Sequence, residues 1–389
     1  MDRLLPALEG LPPAFLVGGA VRDLLRGAGG VDLDLAVEGD ARSAARALAD
    51  RLGGVAREHE RFGTATVKAA GLSFDLARTR RERYERPGAL PTVEPAPLDQ
   101  DLGRRDFSIN AMAIGLTGDD LGHVYDPHGG VRDLDAGVVR VLHEGSFVDD
   151  PTRLLRALRY EARMGFAMDA DTERLAREAI RRGALSTVSG SRIGDELMDL
   201  LAEENAAPAV GRVRELGIDK ALHTALDADP ELVRSAAVVA PEVGAHRALT
   251  GLAALVSSDP LILAAWVDDL GLTAAQRDAA LRAAREAPEL VRGLRGEARP
   301  SRLYDLLADE PPEALALALA LGAPHRPVLR WVRELSRVRL DIGGRDLLEA
   351  GVEEGPGIGR GLEVALRRKL DGEISGRDEE LQAALEAAR

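Results

Sequence analysis

Two aspartates, Asp32 and Asp34, stand one residue apart in VDLDLAV, a segment that alternates polar and apolar side chains from Val31 to Val37. Successive side chains of a strand point to opposite faces. The period therefore predicts a strand with both carboxylates on one face and Val31, Leu33 and Leu35 on the other. Neighbouring carboxylates repel each other unless a cation lies between them. Mg²⁺ fits that place, because it takes oxygen ligands and bridges carboxylates to substrate phosphates. Just upstream, Gly18-Gly19 is followed by Arg22 in FLVGGAVRD. Glycines let backbone N–H groups approach a phosphate closely, and a guanidinium neutralises it. A phosphate cradle followed by a carboxylate pair is equipment for metal-assisted phosphoryl or nucleotidyl transfer.

The apolar run Phe15-Leu16-Val17 predicts a strand before the glycines, and AVRDLLRG predicts a short helix carrying Arg22 and Asp23. Residues 1–14 read as a short helix and a proline-containing turn. Beyond the carboxylate strand, Glu38-Gly39-Asp40 is a turn with a helix cap, and Ala41–Leu52 has helical periodicity up to Gly53-Gly54. Thr64–Ala69 and Leu72–Ala77 predict two strands joined at Gly71. Laid beside the first carboxylate strand, this hairpin brings Asp75 up to Asp32 and Asp34. A third carboxylate there completes a metal site and can draw the proton from an attacking hydroxyl. Residues 78–102 hold four prolines and read as a long irregular loop beside that site. Arg104-Arg105-Asp106 then precedes FSINAMAI, a buried segment in which Asn110 needs hydrogen-bond partners.

Tyr125–Val141 reads as a turn-rich passage followed by a strand. In FVDDPTRLLRALRYEARMGF, Pro151 suits a first helical turn, with Asp149 or Asp150 as its N-cap. At about 100° per residue, Leu154, Leu155, Leu158 and Ala162 form an apolar stripe opposite Arg153, Arg156, Arg159 and Arg163. Unpaired like charges on one face repel, which predicts an anionic ligand. Past residue 170 the pattern is nearly all helical, with a serine-capped helix in Ser186–Leu201 and Ala/Leu-rich amphipathic stretches over 206–330. Within 341–371, a helix, GPGIG and a second helix have the order of a helix-hairpin-helix. Its glycines, here Gly355, Gly357 and Gly359, would present backbone N–H groups to a nucleic-acid phosphate. A tight αα-hairpin with glycine caps accounts for the same spacing. Arg377–Arg389 reads as a surface helix.

A chain of 389 residues exceeds one compact core and implies several domains. No apolar run is long enough to cross a bilayer, and no signal-peptide pattern opens the chain. The absence of cysteine excludes disulfides, zinc thiolates and thiol nucleophiles, and it fits a reducing cytosol. A net charge of −14 argues against a general nucleic-acid sponge, though not against a local basic surface. The basic residues are almost all arginine, with lysine only at 68, 220 and 369; a GC-rich genome accounts for most of that bias. Aromatic residues make up 3%, which leaves few stacking platforms for single strands.

The motifs GGAVRD (18–23), DLD (32–34), RRDFSINAMA (104–113), DDPTRLLRALRY (149–160) and SRIGDEL (191–197) occur in this order. With them the chain resembles the class II tRNA nucleotidyltransferase and bacterial poly(A) polymerase family, from about residue 14 to 200 and more weakly beyond. The resemblance implies an α+β chain with a polymerase-beta-like nucleotidyltransferase head and a small mixed sheet over 1–142. An all-helical neck carrying the base-recognition helix (143–205), a body (206–330) and a tail with the helix-hairpin-helix-like segment (331–389) would follow. It implies that Asp32 and Asp34 hold Mg²⁺, that Asp75 is the third acidic position, and that Gly19 and Arg22 contact the triphosphate. Arg105 and Asp106 would contact the ribose. Asp150 and Arg153 would read the base without a nucleic-acid template, and Arg156 and Arg159 would add nucleotide contacts. Asp149 stands where the family commonly has glutamate. The family's metal-dependent phosphohydrolase appendage, built on a His-Asp pair, has no counterpart here.

A carboxylate only accepts hydrogen bonds and a guanidinium only donates them. Cytosine and adenine each offer an amino donor beside a ring-nitrogen acceptor, so Asp150 with Arg153 satisfies both. Uracil and guanine reverse the pattern, and each mismatched buried polar group costs about 1–3 kcal/mol. The expected activity is addition of CMP and/or AMP from CTP and ATP to the tRNA 3′ end, in the cytoplasm and away from membranes. Nothing in the sequence speaks to oligomeric state. Poly(A) polymerases and enzymes adding only CC or only A share the Asp-Arg pair. A non-catalytic RNA-binding protein of this fold would be free to lose Asp32, Asp34 and Asp75. A small-molecule nucleotidyltransferase would not need the long helical region.

Overall fold

The computed structural model describes residues 3–27, 33–59, 63–69, 71–296 and 299–388. Asp32 lies outside the described residues. The chain divides into two compact units, Met1–Glu196 with Glu215–Leu222, and Leu197–Arg214 with His223–Arg389. Among the described residues, no helix is long and apolar enough to cross a membrane.

The strands of the first unit begin with β1 (Ala14–Val17), β2 (Leu33–Val37), β3 (Val55–His59), β4 (Thr64–Ala69) and β5 (Leu72–Arg78). They continue with β6 (Arg80–Arg83), β7 (Thr92–Pro95), β8 (Ala113–Gly115) and β9 (Val124–Tyr125). Seven of them form one mixed sheet in the order β3-β4-β5-β2-β1-β8-β9. Only β2 and β5 run parallel in it, with Asp34 opposite Asp75. The alternation read from the sequence sorts the two faces. Leu35, Ala65, Val67, Phe74 and Leu76 are buried on one face. That face packs on the helix Ala41–Leu52, whose own Ala44, Ala45 and Leu48 are buried. Each fully buried leucine or phenylalanine there contributes about 1.5–3 kcal/mol. Asp40 caps this helix by accepting from the Arg42 and Ser43 amides, and Gly53 ends it at φ +67°.

The other face is covered over only part of its extent. Phe15, Val17, Ala36 and Ala113 pack there against Leu98 and Leu102 of the helix Leu98–Gly103. The Asp34–Asp75 part of the face is left as a cleft.

Two expectations for this unit are corrected by its secondary structure. Residues 78–102 are not an irregular loop: β6 and β7 pair antiparallel as a two-stranded ribbon, and the helix Leu98–Gly103 follows. The prolines sit where they do least harm, Pro87 in the connection, Pro95 at a ribbon end and Pro97 as the helix N-cap. The passage 125–141 holds a helix, Gly130–Ala136, bracketed by the left-handed Gly129 and Gly137 and too short to show a period. Asp149 ends a separate short helix, Ser146–Asp149, and the arginine-bearing helix runs from Arg153 to Met164; as expected, Asp150 caps the turn before it, with extended backbone and its carboxylate accepting from the Thr152 amide.

The second unit is helical. Pro230–Val243, Arg247–Val256, Ala274–Gly293 and Pro312–Ala320 pack around one another, with Leu252, Ala253, Ala280, Ala284 and Leu317 fully buried. GPGIG is not a turn between helices. Gly355 is the N-cap of the helix Pro356–Leu370, and Gly357 and Gly359 lie inside its first turns. A Cβ on Gly357 would stand 2.8 Å from the Ala388 carbonyl oxygen, and one on Gly361 would stand 2.5 Å from that of Ala384. Close approach of the helix Arg377–Ala388 therefore accounts for glycine at those two positions.

Candidate active site

The strand period sets Asp34 and Asp75 side by side at the floor of a cleft of about 320 Å³. Val17, Thr66, Asp101, Arg104 and Arg105 also line it. Like charges directly opposite on neighbouring strands destabilise a sheet. Two exposed carboxylates in that relation are a hard-oxygen donor pair suited to a divalent cation. Among the described residues no group of three or more acidic or histidine side chains is placed to hold a metal.

Asp101 supports the cleft wall from within. It is 1% exposed and accepts from Arg104 Nε (3.0 Å) and Nη2 (2.8 Å), Arg105 Nη2 (2.9 Å) and the Arg80 amide (3.1 Å). Burial raises its carboxyl, but Arg105 and Arg104 outweigh that and hold it below the usual range. Arg105 Nε is buried without a protein partner and remains a donor in the wall.

Gly18 follows β1 at φ +68° and ψ −133°, a conformation that favours glycine. A Cβ there would lie 2.7 Å from Arg105 Nη1, and one on Gly19 would lie 3.4 Å from Arg22 Nη2. Two guanidiniums thus flank the double glycine. Arg22 is 5% exposed, donates Nη1 to Asn110 Oδ1 (2.7 Å), and pairs through Nε and Nη2 with Asp23 (2.8 and 2.9 Å). Gly18→Ala is expected to strain the turn by about 1–3 kcal/mol and to raise the nucleotide KM about tenfold by displacing Arg105. An unchanged KM would remove this turn from the site.

The arginine stripe differs from its expectation. Two of its members, Arg156 and Arg159, are not unpaired cations, because carboxylates distant in sequence neutralise them. Asp106 accepts from Arg156 Nε (3.0 Å) and Nη2 (2.6 Å) and from Asn110 Nδ2 (3.0 Å). Glu196 accepts from Arg156 Nη1 (2.9 Å) and Arg159 Nη2 (3.1 Å). Arg22, Arg156 and Arg159 all lie 5.3–5.9 Å from the centre of the Tyr160 ring. Burial raises the Asp106 carboxyl, and Arg156 and Asn110 more than reverse this.

Asp101 and Asp106 therefore have folded values below their ordinary 3.8. Their contribution to stability is complete above that pH and is lost as pH falls through the lowered folded values. Acid titration of the thermal midpoint should show the loss beginning near pH 4, and a midpoint independent of pH below 4 would contradict it.

Asp150 and Arg153 are both held in place. Thr152 N (3.1 Å), Thr152 Oγ1 (2.7 Å) and Arg192 Nη2 (2.8 Å) all converge on Asp150 Oδ1. Arg153, 4% exposed, donates Nη1 to Ser146 Oγ (2.6 Å) and Nη2 to the Arg104 carbonyl (2.9 Å). That last bond ties Arg153 to the cleft wall. Arg192 and Glu196, one helical turn apart in SRIGDEL, received no role from the sequence. Their spacing of four on one helix face was the available signal. Gly355, Gly357 and Gly359 belong to the other compact unit.

Residues 14–140 match the Poly A polymerase head domain. The chain is 35% identical to the A-adding tRNA nucleotidyltransferase of Geobacter sulfurreducens, over 97% of this chain and 45% of that protein. It is 34% identical to the CC-adding tRNA nucleotidyltransferase of Deinococcus radiodurans, over 95% of this chain and 87% of that one. The chain belongs to the tRNA nucleotidyltransferase family. It spans about half or less of the length of the A-adding relatives it matches. Solved structures agree. The Thermotoga maritima CCA-adding enzyme complexed with tRNA superposes at TM-score 0.76, with 31% identity over 97% of this chain and 92% of that one. CCA-adding enzymes with CTP and with ATP give TM-scores of 0.78 and 0.80, at 31% and 30% identity, over 97% of this chain and 91% and 92% of theirs. Nucleotidyltransferases of this class use divalent metals.

Proposed function

We propose that this tRNA nucleotidyltransferase adds CMP and/or AMP from CTP and ATP to the tRNA 3′ end in the cytoplasm. The observation that carries the reading is the pairing of Asp34 with Asp75 beside a double glycine flanked by Arg22 and Arg105. The relatives that add A or CC, and the solved enzymes carrying tRNA, CTP or ATP, support it. The same reading divides the chain into a head (1–142), neck (143–205), body (206–330) and tail (331–389), with Gly355, Gly357 and Gly359 on the tRNA side.

The base is read by hydrogen bonding. Among the described residues the donors to Asp150 land on Oδ1, so Oδ2 accepts the amino group of cytosine or adenine. Arg153, anchored on Ser146 and Arg104, keeps a second N–H on each terminal nitrogen for the ring acceptor. Arg105 and Asp106 contact the ribose. Arg22 and the Gly18-Gly19 backbone bind the triphosphate, with Asn110 fixing Arg22, and Arg156 and Arg159, held in place by Asp106 and Glu196, add contacts to the nucleotide. Mg²⁺, held by Asp34 with Asp32 and Asp75, would neutralise the triphosphate and acidify the attacking hydroxyl. Asp75 takes the proton of the RNA 3′-hydroxyl as its oxygen bonds to the α-phosphorus. The bond to the β-phosphate bridge breaks, and pyrophosphate leaves against Arg22 and Arg105.

The test supplies each of the four nucleoside triphosphates alone, with Mg²⁺, to a tRNA lacking part of its 3′ end. CMP or AMP should be incorporated, and UMP and GMP should fall at least about a hundredfold lower. Equal use of all four would contradict base reading by this pair.

A further inference from the structure

The sheet has two sides around its carboxylates, and the nucleotide accounts for one. Gly18, Gly19, Arg22, Arg105 and Asn110 all belong to segments on the β1–β8 side of Asp34. A second substrate must reach Asp75 from the other side, across β4 and β3. The registers fix what it meets. Thr66 stands opposite Asp75 and Arg57 opposite Thr66, while Lys68 stands opposite Ser73 and Val55 opposite Lys68. His59 closes the row, with its Nε2 3.2 Å from Thr66 Oγ1.

This face is cationic by construction. Glu58, the acid of β3, points the other way and pairs with Arg46 of the helix Ala41–Leu52. Arg57, His59 and Lys68 are exposed on the cleft side. Among the described residues no ion pair engages Arg57 or Lys68, although the chain carries a net charge of −14. Val55 is 71% exposed beside Lys68, an apolar surface suited to a base or ribose. Lys68 is a diagonal neighbour of Asp75 at about 7–8 Å, and Arg57 is two strands away at about 10 Å.

We propose that the β3–β4 face seats the single-stranded 3′ end of the RNA, with Arg57 and Lys68 holding its last phosphates and Val55 its base. This rests on the function proposed above. Two flexible cations on the β4–β3 side of Asp75 place the terminal hydroxyl beside the carboxylate that takes its proton, and they bind any sequence because they touch only the backbone.

Equilibrium binding without nucleotide tests it. Full-length protein is titrated with a tRNA ending in CC and with the same tRNA lacking its single-stranded 3′ end. Wild type should bind the CC-ended tRNA about tenfold more tightly. In the Arg57→Ala/Lys68→Ala variant that difference should vanish, and Arg57→Lys/Lys68→Arg should restore most of it. The KM for ATP and CTP should not change. A 3′-end difference that persists in the alanine variant, or that is absent from wild type, overturns the assignment. So does a rise in nucleotide KM alone, which would put these cations on the triphosphate side. A wild type that binds neither tRNA would instead overturn the tRNA function itself.

Discussion

Asp75→Asn should lower nucleotide incorporation by at least about a thousandfold while leaving tRNA affinity within a factor of about two and the thermal midpoint undiminished. The substitution keeps the shape and removes one charge from an exposed side chain opposite Asp34. Like charges in that register cost stability, so removing one relieves repulsion. The same change removes a hard anionic ligand and the acceptor for the hydroxyl proton, both needed only as the reaction proceeds. The split between activity and stability is the signature. Activity within tenfold of wild type would show that this carboxylate does not face the reacting atoms. A midpoint that falls with activity would give it a structural role instead.

Asp106→Ala should be the most destabilising single change near the site, by about 3–5 kcal/mol. Asp106 is 9% exposed and accepts from Arg156, Asn110 and the Phe107 amide. Its loss leaves the Arg156 guanidinium with Glu196 as its remaining carboxylate and frees Asn110, which orients Arg22. A fall in thermal midpoint of about 6–20 °C is expected for a unit of this size. Asp106→Asn, which retains acceptors but not charge, should cost less. A midpoint within about 2 °C of wild type for the alanine variant would show that the pair is solvated and energetically idle.

What was legible in the sequence was what nearest neighbours encode. The alternation in β2 and in the β4–β5 hairpin set Asp34 opposite Asp75, and Asp40 and Gly53 bounded the helix Ala41–Leu52 at the expected residues. The buried stretch around Asn110 also followed from composition, and its predicted need of partners is met by Arg22 and Asp106. What was not legible depended on pairing across the chain. Arg156 looked unpaired because its carboxylates lie 50 and 40 residues away, at Asp106 and Glu196. The β6–β7 ribbon was hidden by prolines, which a two-stranded edge tolerates better than a sheet interior. GPGIG looked like a turn because glycine and proline also begin helices, and close packing on the helix Arg377–Ala388 explains Gly357 equally well.

Stepwise addition of CMP or AMP to the tRNA 3′ end is tested directly by one assay. The protein is incubated with Mg²⁺ and tRNA transcripts that end before CCA, after C and after CC, each with CTP, ATP or both, and products are sized to one nucleotide. Extension that follows the CCA order and stops at its end, in full or over only its CC or A part, is the predicted result. A long ladder of A on any RNA, or no extension of a tRNA that the protein nevertheless binds, would contradict it.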